Sequence, residues 1–369
     1  MHPRLLRPHL WWGKSSPATV RTDPSPRVAI ALVALSFVAA LLACQAPGSV
    51  TVTPPPSTPT PHPPTPTATP DVILLIREEG LSDASLEDLV NTLQTLSGES
   101  GLRLEQAAPS AAPVLTSATR LVISYGSEVD ASLLARDHPG LQVVAIGAPG
   151  LETAPNLLVI GPEGFRGDQQ GFVAGYAAAL AIPGFRVAVL SPQDRPQALP
   201  AAAGFLQGAV FYCGLCNPAR PPFVEYPMQL STSTQESEMA AVVSTLQTAE
   251  VGAVYIPDRA ALQELAPLLT NEGLLLLGPG LPDESLRLSW LVSVRADPAS
   301  AVRSAWPEAL AGRASGSRAM PLYIADAHPD WLSPGKLALL DSLLQALAQG
   351  EVDTGVDPLT GQLENTGGG

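Results

Sequence analysis

Val72–Ile76, with the sequence VILLI, is a continuous run of aliphatic side chains. A run of this length suits a β-strand, and a strand that is apolar on both faces is typical of a parallel sheet covered by helices on both sides. Residues 85–96 follow with apolar side chains at the spacing of one helix face, namely Leu86, Leu89, Val90 and Leu93. The stretch therefore predicts a buried strand followed by an amphipathic helix.

The same alternation continues along the chain. Apolar segments predict strands at 121–123, 141–146, 156–160, 186–190, 223–226, 251–256, 274–277, 290–294 and 321–325. Helical spacing separates most of them, at 131–136, 167–181, 198–212, 234–249, 259–269, 298–311 and 333–349. Such alternation forms βαβ units. Because about ten strands is the upper limit of a comfortable twisted sheet, the pattern predicts an α/β fold of two doubly wound parallel-sheet lobes joined by a hinge.

We assign residues 71–354 to these two lobes. Lobe 1 is expected to comprise about 71–185 and 291–320, and lobe 2 about 186–290 and 321–354. The Gly-rich residues 355–369 are expected to form a flexible tail. Ligands of doubly wound sheets bind at the carboxyl ends of the strands, so the sequence predicts a binding cleft between the lobes.

The chain before residue 71 has a different composition. Residues 1–27 carry five basic side chains and one acid, and residues 28–42 are apolar apart from Ser36. This order is typical of a bacterial signal peptide. The tetrad Leu-Leu-Ala-Cys at 41–44 resembles the lipobox of bacterial lipoproteins, which implies cleavage after residue 43 and a lipid on the sulfur of Cys44. The alternatives are an uncleaved membrane helix, for which the run falls below about 20 residues, and an ordinary signal peptide.

Residues 45–70 contain ten prolines and many threonines. Such a tract favours extended polyproline II at about 3.1 Å per residue. Together with Cys44 it predicts a spacer, at residues 44–70, that holds an extracytoplasmic domain away from the bacterial cell membrane.

Charge excludes one class of partner. The formal net charge is −14, and the basic leader makes the remainder more acidic still. Nucleic-acid binding needs Lys/Arg clusters, and the sequence after the leader has none. The acidic balance suits a domain held beside an anionic membrane without adhering to it.

The remaining cysteines, Cys213 and Cys216, form one Cys-x-x-Cys motif. We expect a local disulfide, with a reduced pair, half a zinc site and a redox pair as alternatives. We expect no metal and no cofactor. The sequence contains no GxSxG, HExxH, P-loop or GxGxxG motif in the required context, so a non-enzyme is favoured over an enzyme on an α/β scaffold.

Residues 170–180, QGFVAGYAAAL, resemble the QxGFLAGYxAA segment of the basic membrane protein family. These are substrate-binding lipoproteins of ABC transporters, similar to purine nucleoside receptor A, with a type I periplasmic-binding fold. Residues 80–87, GLSDASLE, resemble the family's G-x-x-D-x-S-F-N loop. Two further segments, LVSVR at 291–295 and GEV at 350–352, resemble its later motifs in the same order.

The resemblance implies a set of ligand-binding residues at strand ends and in the first loop: Asp83, Ser85, Leu86, Glu87, Ser124, Tyr125, Gly126, Asp258, Asp283 and Arg295. Some positions depart from the family. Leu86 and Glu87 replace Phe-Asn, which removes an aromatic ring for stacking on a base, and Gly147 replaces an Asp. Asp83 and Ser85 have an alternative role as helix N-caps, and Arg295 as a buried ion-pair partner.

The expected function is a membrane-tethered receptor that binds a small polar solute, nucleoside-like or otherwise, and delivers it to an ABC permease. Hinge closure around the solute is the mechanism that such a fold permits. The alternative is a sensory or scaffold lipoprotein that keeps the fold without transport.

Overall fold

The structure is a computed structural model, and it describes residues 71–77, 84–107, 115–126, 130–192, 195–217, 219–232 and 236–364. The signal peptide, Cys44 and the spacer lie outside these ranges, and so does Asp83. Within these ranges, no helix has the length and apolar character needed to cross a membrane.

Sheet A forms the first lobe. Its strands are β1 Val72–Ile76, β2 Arg103–Ala107, β3 Thr119–Tyr125, β4 Gln142–Ile146, β5 Leu157–Ile160 and β11 Gly316–Arg318. They run parallel in the order β11-β5-β4-β3-β1-β2. The helices of this lobe are α1 Ala84–Glu99, α2 Ala131–Asp137 and α7 Pro298–Leu310. Ile73 and Ile123 pack with α1 and α7 on one face, and Val122 and Val143 pack with α2 on the other.

Sheet B forms the second lobe. Its strands are β6 Val187–Pro192, β7 Met228–Thr232, β8 Ala253–Tyr255, β9 Leu275–Gly278, β10 Trp290–Ala296 and β12 Leu322–Ala325, in the order β12-β10-β9-β8-β6-β7. Its helices are α3 Gly167–Ala181, α4 Leu199–Cys213, α5 Glu236–Thr248, α6 Arg259–Asn271 and α8 Pro334–Gln349. The strands are parallel except β12, which is antiparallel to β10. The expectation of purely parallel sheets is therefore wrong at this edge.

The chain crosses between the lobes in three short segments, residues 161–166, Asp297 and residues 319–321. Asp297 alone connects β10 of sheet B to α7 of the first lobe, so the carboxyl edges of the two sheets face each other within a few ångströms there. Backbone hydrogen bonds join the segments side by side, from Gly161 N–H to the Arg318 carbonyl at 2.8 Å and from Asp297 N–H to the Pro321 carbonyl at 2.8 Å. The three crossovers form the hinge.

These crossovers correct the predicted lobe boundaries. Strand β10 lies in sheet B, although residues 291–320 were assigned to lobe 1, and α3 packs on sheet B, although 71–185 were assigned to lobe 1. Both follow from topology. A chain that leaves one carboxyl edge arrives at the opposite one, so α3 runs back along sheet B before β6 begins. The same path, without a helix, makes β12 antiparallel.

Two strand predictions also need correction. Residues 223–226 are not a strand; the strand is β7, five residues later, because Pro221, Pro222 and Pro227 lack the N–H groups that a ladder requires. Strand β2 was missed since its sequence, RLEQA, is polar and it pairs on one side only.

Helices α3 and α4 approach each other unusually closely. A Cβ built on Gly175 would lie 2.0 Å from the carbonyl oxygen of Phe205, and one on Gly204 would lie 2.0 Å from that of Asp168. These glycines therefore bring the backbones of two helices into direct contact.

The chain after α8 is ordered further than predicted. Buried Thr354 donates to Asp168 Oδ2 at 2.9 Å, and Val356 is 2% exposed. Asp357 Oδ1 accepts the N–H of Thr360 at 2.7 Å and closes a turn. Residues 355–364 therefore form a packed segment where the sequence predicted a flexible tail, while 365–369 lie outside the described residues.

Candidate functional site

Two side-chain hydrogen bonds join the lobes where the carboxyl edges meet. Ser85 of α1 donates its hydroxyl to the carbonyl of Ala296 at the end of β10, at 2.9 Å. Tyr323 of β12 donates to Asp88 Oδ2 of α1 at 3.0 Å. Both bonds lie beside the hinge, so they hold the start of α1 against the second lobe.

These contacts place the predicted residues of the first loop. Ser85 is buried and bonded across the lobes, a role that differs from the predicted N-cap. Leu86 is 2% exposed in the core of the first lobe, packed among the side chains of α1 and α7, so its side chain is a core residue rather than a pocket wall. Glu87 is exposed on the first turn of α1. Of the described residues of this group, Glu87 alone is open to a solute.

The end of β3 carries Ser124, Tyr125 and Gly126, as predicted from the resemblance. Tyr125 packs against Phe165 of the first crossover, with ring centroids 5.0 Å apart. The same Phe165 ring covers Gly147, where any Cβ would overlap it. An Asp at position 147, as in the family, would therefore require the Phe165 ring to move, and the φ of +66° at this position favours glycine.

Arg295 is an ion-pair partner in the second lobe. Its Nη2 donates to Asp326 Oδ2 at 2.6 Å, and both side chains are less than one-fifth exposed. Ser293 donates to the same oxygen at 2.6 Å, and Trp290 Nε1 donates to Ser293 Oγ at 3.0 Å. Burial raises the pKa of nearby Tyr323, which keeps its hydroxyl protonated as the donor to Asp88.

The other predicted acids of this lobe are engaged locally. Asp258 caps α6 through the N–H of Ala261 at 2.8 Å and accepts from Arg195 Nη1 at 2.8 Å. Asp283 is exposed and accepts the N–H of Ser285 at 2.8 Å. That backbone hydrogen bond holds the pKa of Asp283 below its ordinary value. Both carboxylates thus have structural partners.

Three buried polar atoms at these edges have no hydrogen-bond partner among the described residues: Ser124 Oγ, Ser191 Oγ and Arg295 Nε. Each belongs to the next-to-last residue of a parallel strand, in β3, β6 and β10 respectively. Most buried polar atoms in proteins are satisfied by protein, water or a ligand. Their shared position marks the carboxyl edges of both sheets as the candidate site.

Cys213 and Cys216 lie elsewhere. They are joined by a disulfide at the end of α4, with Cα atoms 4.9 Å apart. Tyr212 next to them contacts Phe185, which precedes β6, so the disulfide lies at the amino edge of sheet B. Among the described side chains there is no group of three or more His, Cys, Asp or Glu arranged for a metal ion.

Sequence reasoning missed Phe165, Arg259, Tyr323 and Asp326. The last two follow from the antiparallel placement of β12, which brings Asp326 beside β10. A signal for Asp326 existed, since a predicted strand ends directly before it.

No protein-family model and no curated protein matches this sequence. Solved structures do match. An ABC transporter solute-binding protein from Conexibacter woesei DSM 14684 has a TM-score of 0.57 and 14% identity, covering 77% of this chain and 98% of its own. One from Aeropyrum pernix K1 has a TM-score of 0.55 and 15% identity, covering 77% and 93%. A transcriptional activator of the comK gene from Bacillus halodurans has a TM-score of 0.53 and 14% identity, covering 76% and 99%.

At this level of identity the similarity concerns the fold. The two six-stranded lobes, their strand order and these neighbours show that the chain has the type I periplasmic-binding fold. The closer resemblance to the basic membrane protein family stays a prediction.

Proposed function

We propose that this protein is a solute-binding lipoprotein that captures a small polar solute between its lobes and delivers it to an ABC permease. The observation that carries the proposal is the set of buried, unpaired polar atoms at the facing edges, Ser124 Oγ, Ser191 Oγ and Arg295 Nε. A solute in the cleft would supply their missing partners. The similarity in fold to two ABC transporter solute-binding proteins supports the same role.

Closure of the hinge is the proposed mechanism. The crossovers are short and hydrogen-bonded to one another, so they bend as a unit while the lobes keep their own cores. A solute that contacts both edges stabilises the closed form over the open one by the contacts that it makes only there. The bonds of Ser85 and Tyr323 beside the hinge limit how far the lobes separate at that end.

Anchoring and delivery rest on the sequence. The lipobox-like tetrad at 41–44 and the Pro/Thr spacer support a lipid on Cys44 and a domain held outside the membrane. The β1 strand starts at Val72, so the described chain enters lobe 1 at the amino edge of sheet A.

The ligand-binding residues that we propose follow from their placement at the edges. They are Glu87, Ser124, Tyr125, Gly126 and Arg295, with Asp258 as a residue that positions Arg195. Leu86 is withdrawn because it lies in the core. Because the stacking position is a core leucine and position 147 is closed by Phe165, a nucleoside would have to stack on Tyr125 or Phe165.

A thermal-shift screen of the full-length chain with nucleosides, sugars, amino acids and organic acids tests the proposal. A true ligand raises the melting temperature with concentration, because binding at 100 times Kd stabilises the folded state by about 2.7 kcal/mol. No shift with any member of the panel would count against solute binding. A shift with other solutes and none with nucleosides would dismiss the nucleoside version alone.

Sensing is the second candidate function. One structural neighbour is a transcriptional activator. The aromatic pair Tyr125 and Phe165 occupies space at the carboxyl edge of sheet A, where a solute would bind. In-cell crosslinking from lobe surfaces separates the two functions: a permease partner supports transport, and a membrane kinase supports sensing.

A further inference from the structure

We infer that the solute is an anion, carrying a carboxylate or a phosphate, and that Arg259 makes its principal charged contact. The inference rests on the proposed binding function and specifies the chemical class of its ligand. It starts from one arginine that the resemblance did not point to.

Arg259 is the first residue of α6 and follows the carboxyl end of β8. Its side chain is half-buried, and its Nε is buried without a hydrogen-bond partner. The described residues give its guanidinium neither an ion pair nor a hydrogen bond. The neighbouring carboxylate, Asp258, is already paired with Arg195. Within the part of the chain that the structure describes, no carboxylate therefore pairs with Arg259 at the carboxyl edge.

A second guanidinium lies along the same edge. Arg295 on β10 keeps a buried, unpaired Nε although its Nη2 binds Asp326. Strand β9 separates β8 from β10, so the two strands are about 10 Å apart. The loop after β9 carries Gly280, whose Cβ would lie 3.4 Å from Arg295 Nε, so glycine keeps this space open. Two arginine side chains can meet on one anion across such a gap.

Each unpaired polar group at the edge of sheet B can donate a hydrogen bond, and the two arginine Nε–H groups can only donate. Ser191 on β6, next to β8, adds a buried hydroxyl to the two Nε–H groups. The carboxylates at the edge of sheet B are engaged: Asp258 by Arg195, Asp326 by Arg295 and Ser293, and exposed Asp283 by its own turn. Across the hinge, Asp88 accepts from Tyr323, and Glu87 beside it is exposed on the first turn of α1.

This balance decides the ligand class. The hydroxyls of a sugar or nucleoside need acceptors as well as donors, whereas a carboxylate or phosphate accepts hydrogen bonds only. The N-terminus of α6 adds a partial positive charge beside Arg259. In a chain of net charge −14, a local excess of donors and one uncompensated arginine favours an anionic solute.

Calorimetry on the full-length chain tests this inference with three groups of probes. The first contains small carboxylates such as succinate and glutamate, the second contains inorganic phosphate and ribose 5-phosphate, and the third contains neutral counterparts such as succinamide and ribose. We expect binding by members of the first or second group, weakening as salt increases, and none by the neutral counterparts. The first two groups separate a carboxylate from a phosphate.

Arg259→Gln is the test variant. Loss of one charge-assisted contact should weaken the binding of the anion about 10- to 100-fold. Arg313→Gln is the matched control, because Arg313 is exposed and follows α7 in the other lobe. The Arg313→Gln variant should bind the anion as tightly as the unaltered chain does. The melting temperature without ligand checks folding. If Arg259→Gln does not fold, the anion affinity of Arg259→Lys and the salt dependence of anion binding by the unaltered chain test the same contact.

The outcomes separate the two proposals. Binding of neutral solutes alone overturns the anionic assignment and leaves solute binding intact. Anion binding that is unchanged in Arg259→Gln overturns the role of Arg259. Absence of binding by every probe and by the wider panel contradicts the proposed function itself.

Discussion

Replacing Gly175 by alanine should separate the two helices that cover one face of sheet B. Gly175 is in α3, and its added Cβ would lie 2.0 Å from the carbonyl oxygen of Phe205 in α4. Real Cβ contacts stay beyond 3.0 Å, so the helices must move apart by at least about 1 Å. The obstructing atom belongs to backbone, and no side-chain rotation can relieve the overlap.

The cost follows from this displacement. Overpacking a close-packed core costs about 1–3 kcal/mol. We expect the upper end of this range, because moving α4 also loosens Phe172 and Phe205, which are nearly fully buried between the helices and the sheet. At about 2–4 °C per kcal/mol for a chain of this size, the melting temperature should fall by at least 6 °C.

Gly98→Ala is the matched control. Gly98 is in α1, and a Cβ there would meet no atom within 4 Å. The same substitution should therefore stabilise the protein by up to about 1 kcal/mol, because alanine restricts the unfolded chain and favours the helix.

Urea denaturation followed by circular dichroism measures both effects. The midpoint should fall for Gly175→Ala and rise slightly for Gly98→Ala, with slopes that stay the same. Equal midpoints for the two variants would refute the close helix–helix approach on which the argument depends.

Three further predictions concern the hinge, the C-terminal segment and the disulfide. Asp168 is fully buried and holds Arg166 of the first crossover through two hydrogen bonds of 2.8 and 2.9 Å. Asp168→Ala should lower the free energy of unfolding by about 3–5 kcal/mol, and Thr354→Val, which removes only the hydroxyl that donates to Asp168, should lower it by about 1–3 kcal/mol. Similar losses in the two variants would contradict a larger contribution from the ion pair than from the Thr354 hydrogen bond. The hydrogen bond from the Thr360 N–H lowers the pKa of Asp357 below its ordinary 3.8. The contribution of the Asp357 carboxylate to stability is therefore complete above pH 3.8 and is lost as the pH falls through the lower pKa of the folded state. The NMR shift of the Thr360 amide should titrate below pH 3.8, and a midpoint at or above 3.8 would be inconsistent with this hydrogen bond. Changing Cys213 and Cys216 together to Ser should lower the free energy of unfolding by about 2 kcal/mol, because the disulfide restricts the unfolded chain. Ligand affinity should stay unchanged, because the disulfide lies at the amino edge of sheet B and the candidate site at the carboxyl edge. A fall in affinity would contradict this distance between the disulfide and the site.

The sequence predicted most elements because their patterns are local. VILLI at Val72–Ile76 is β1, and all eight α-helices of the described residues coincide with segments of helical spacing. Strand β2 and the three-residue β11 were missed because edge strands carry polar side chains that resemble loops. The predicted assignment of β10 and α3 to lobe 1 was wrong. Which lobe an element joins depends on where the short crossovers lead, and this cannot be predicted from the local sequence.

The site was harder to predict for the same reason. Ser124, Tyr125, Gly126 and Arg295 do lie at strand ends, where the resemblance to the family placed them. The ion pair of Arg295 with Asp326 depends on the antiparallel edge strand, and the closure of Gly147 by Phe165 depends on the crossover's path. Such contacts join residues that are distant in sequence, so they follow only from the three-dimensional arrangement.

The distance across the cleft tests the central claim most directly. Spin labels at Leu133 on α2 and Gln263 on α6 sit on exposed positions of helices that start at the two facing edges. With Cys44 replaced by Ser, only the introduced cysteines carry labels, and double electron–electron resonance reports their separation. A solute that raises the melting temperature should shorten and narrow the distance distribution. An unchanged distribution at saturating solute would contradict capture between the lobes.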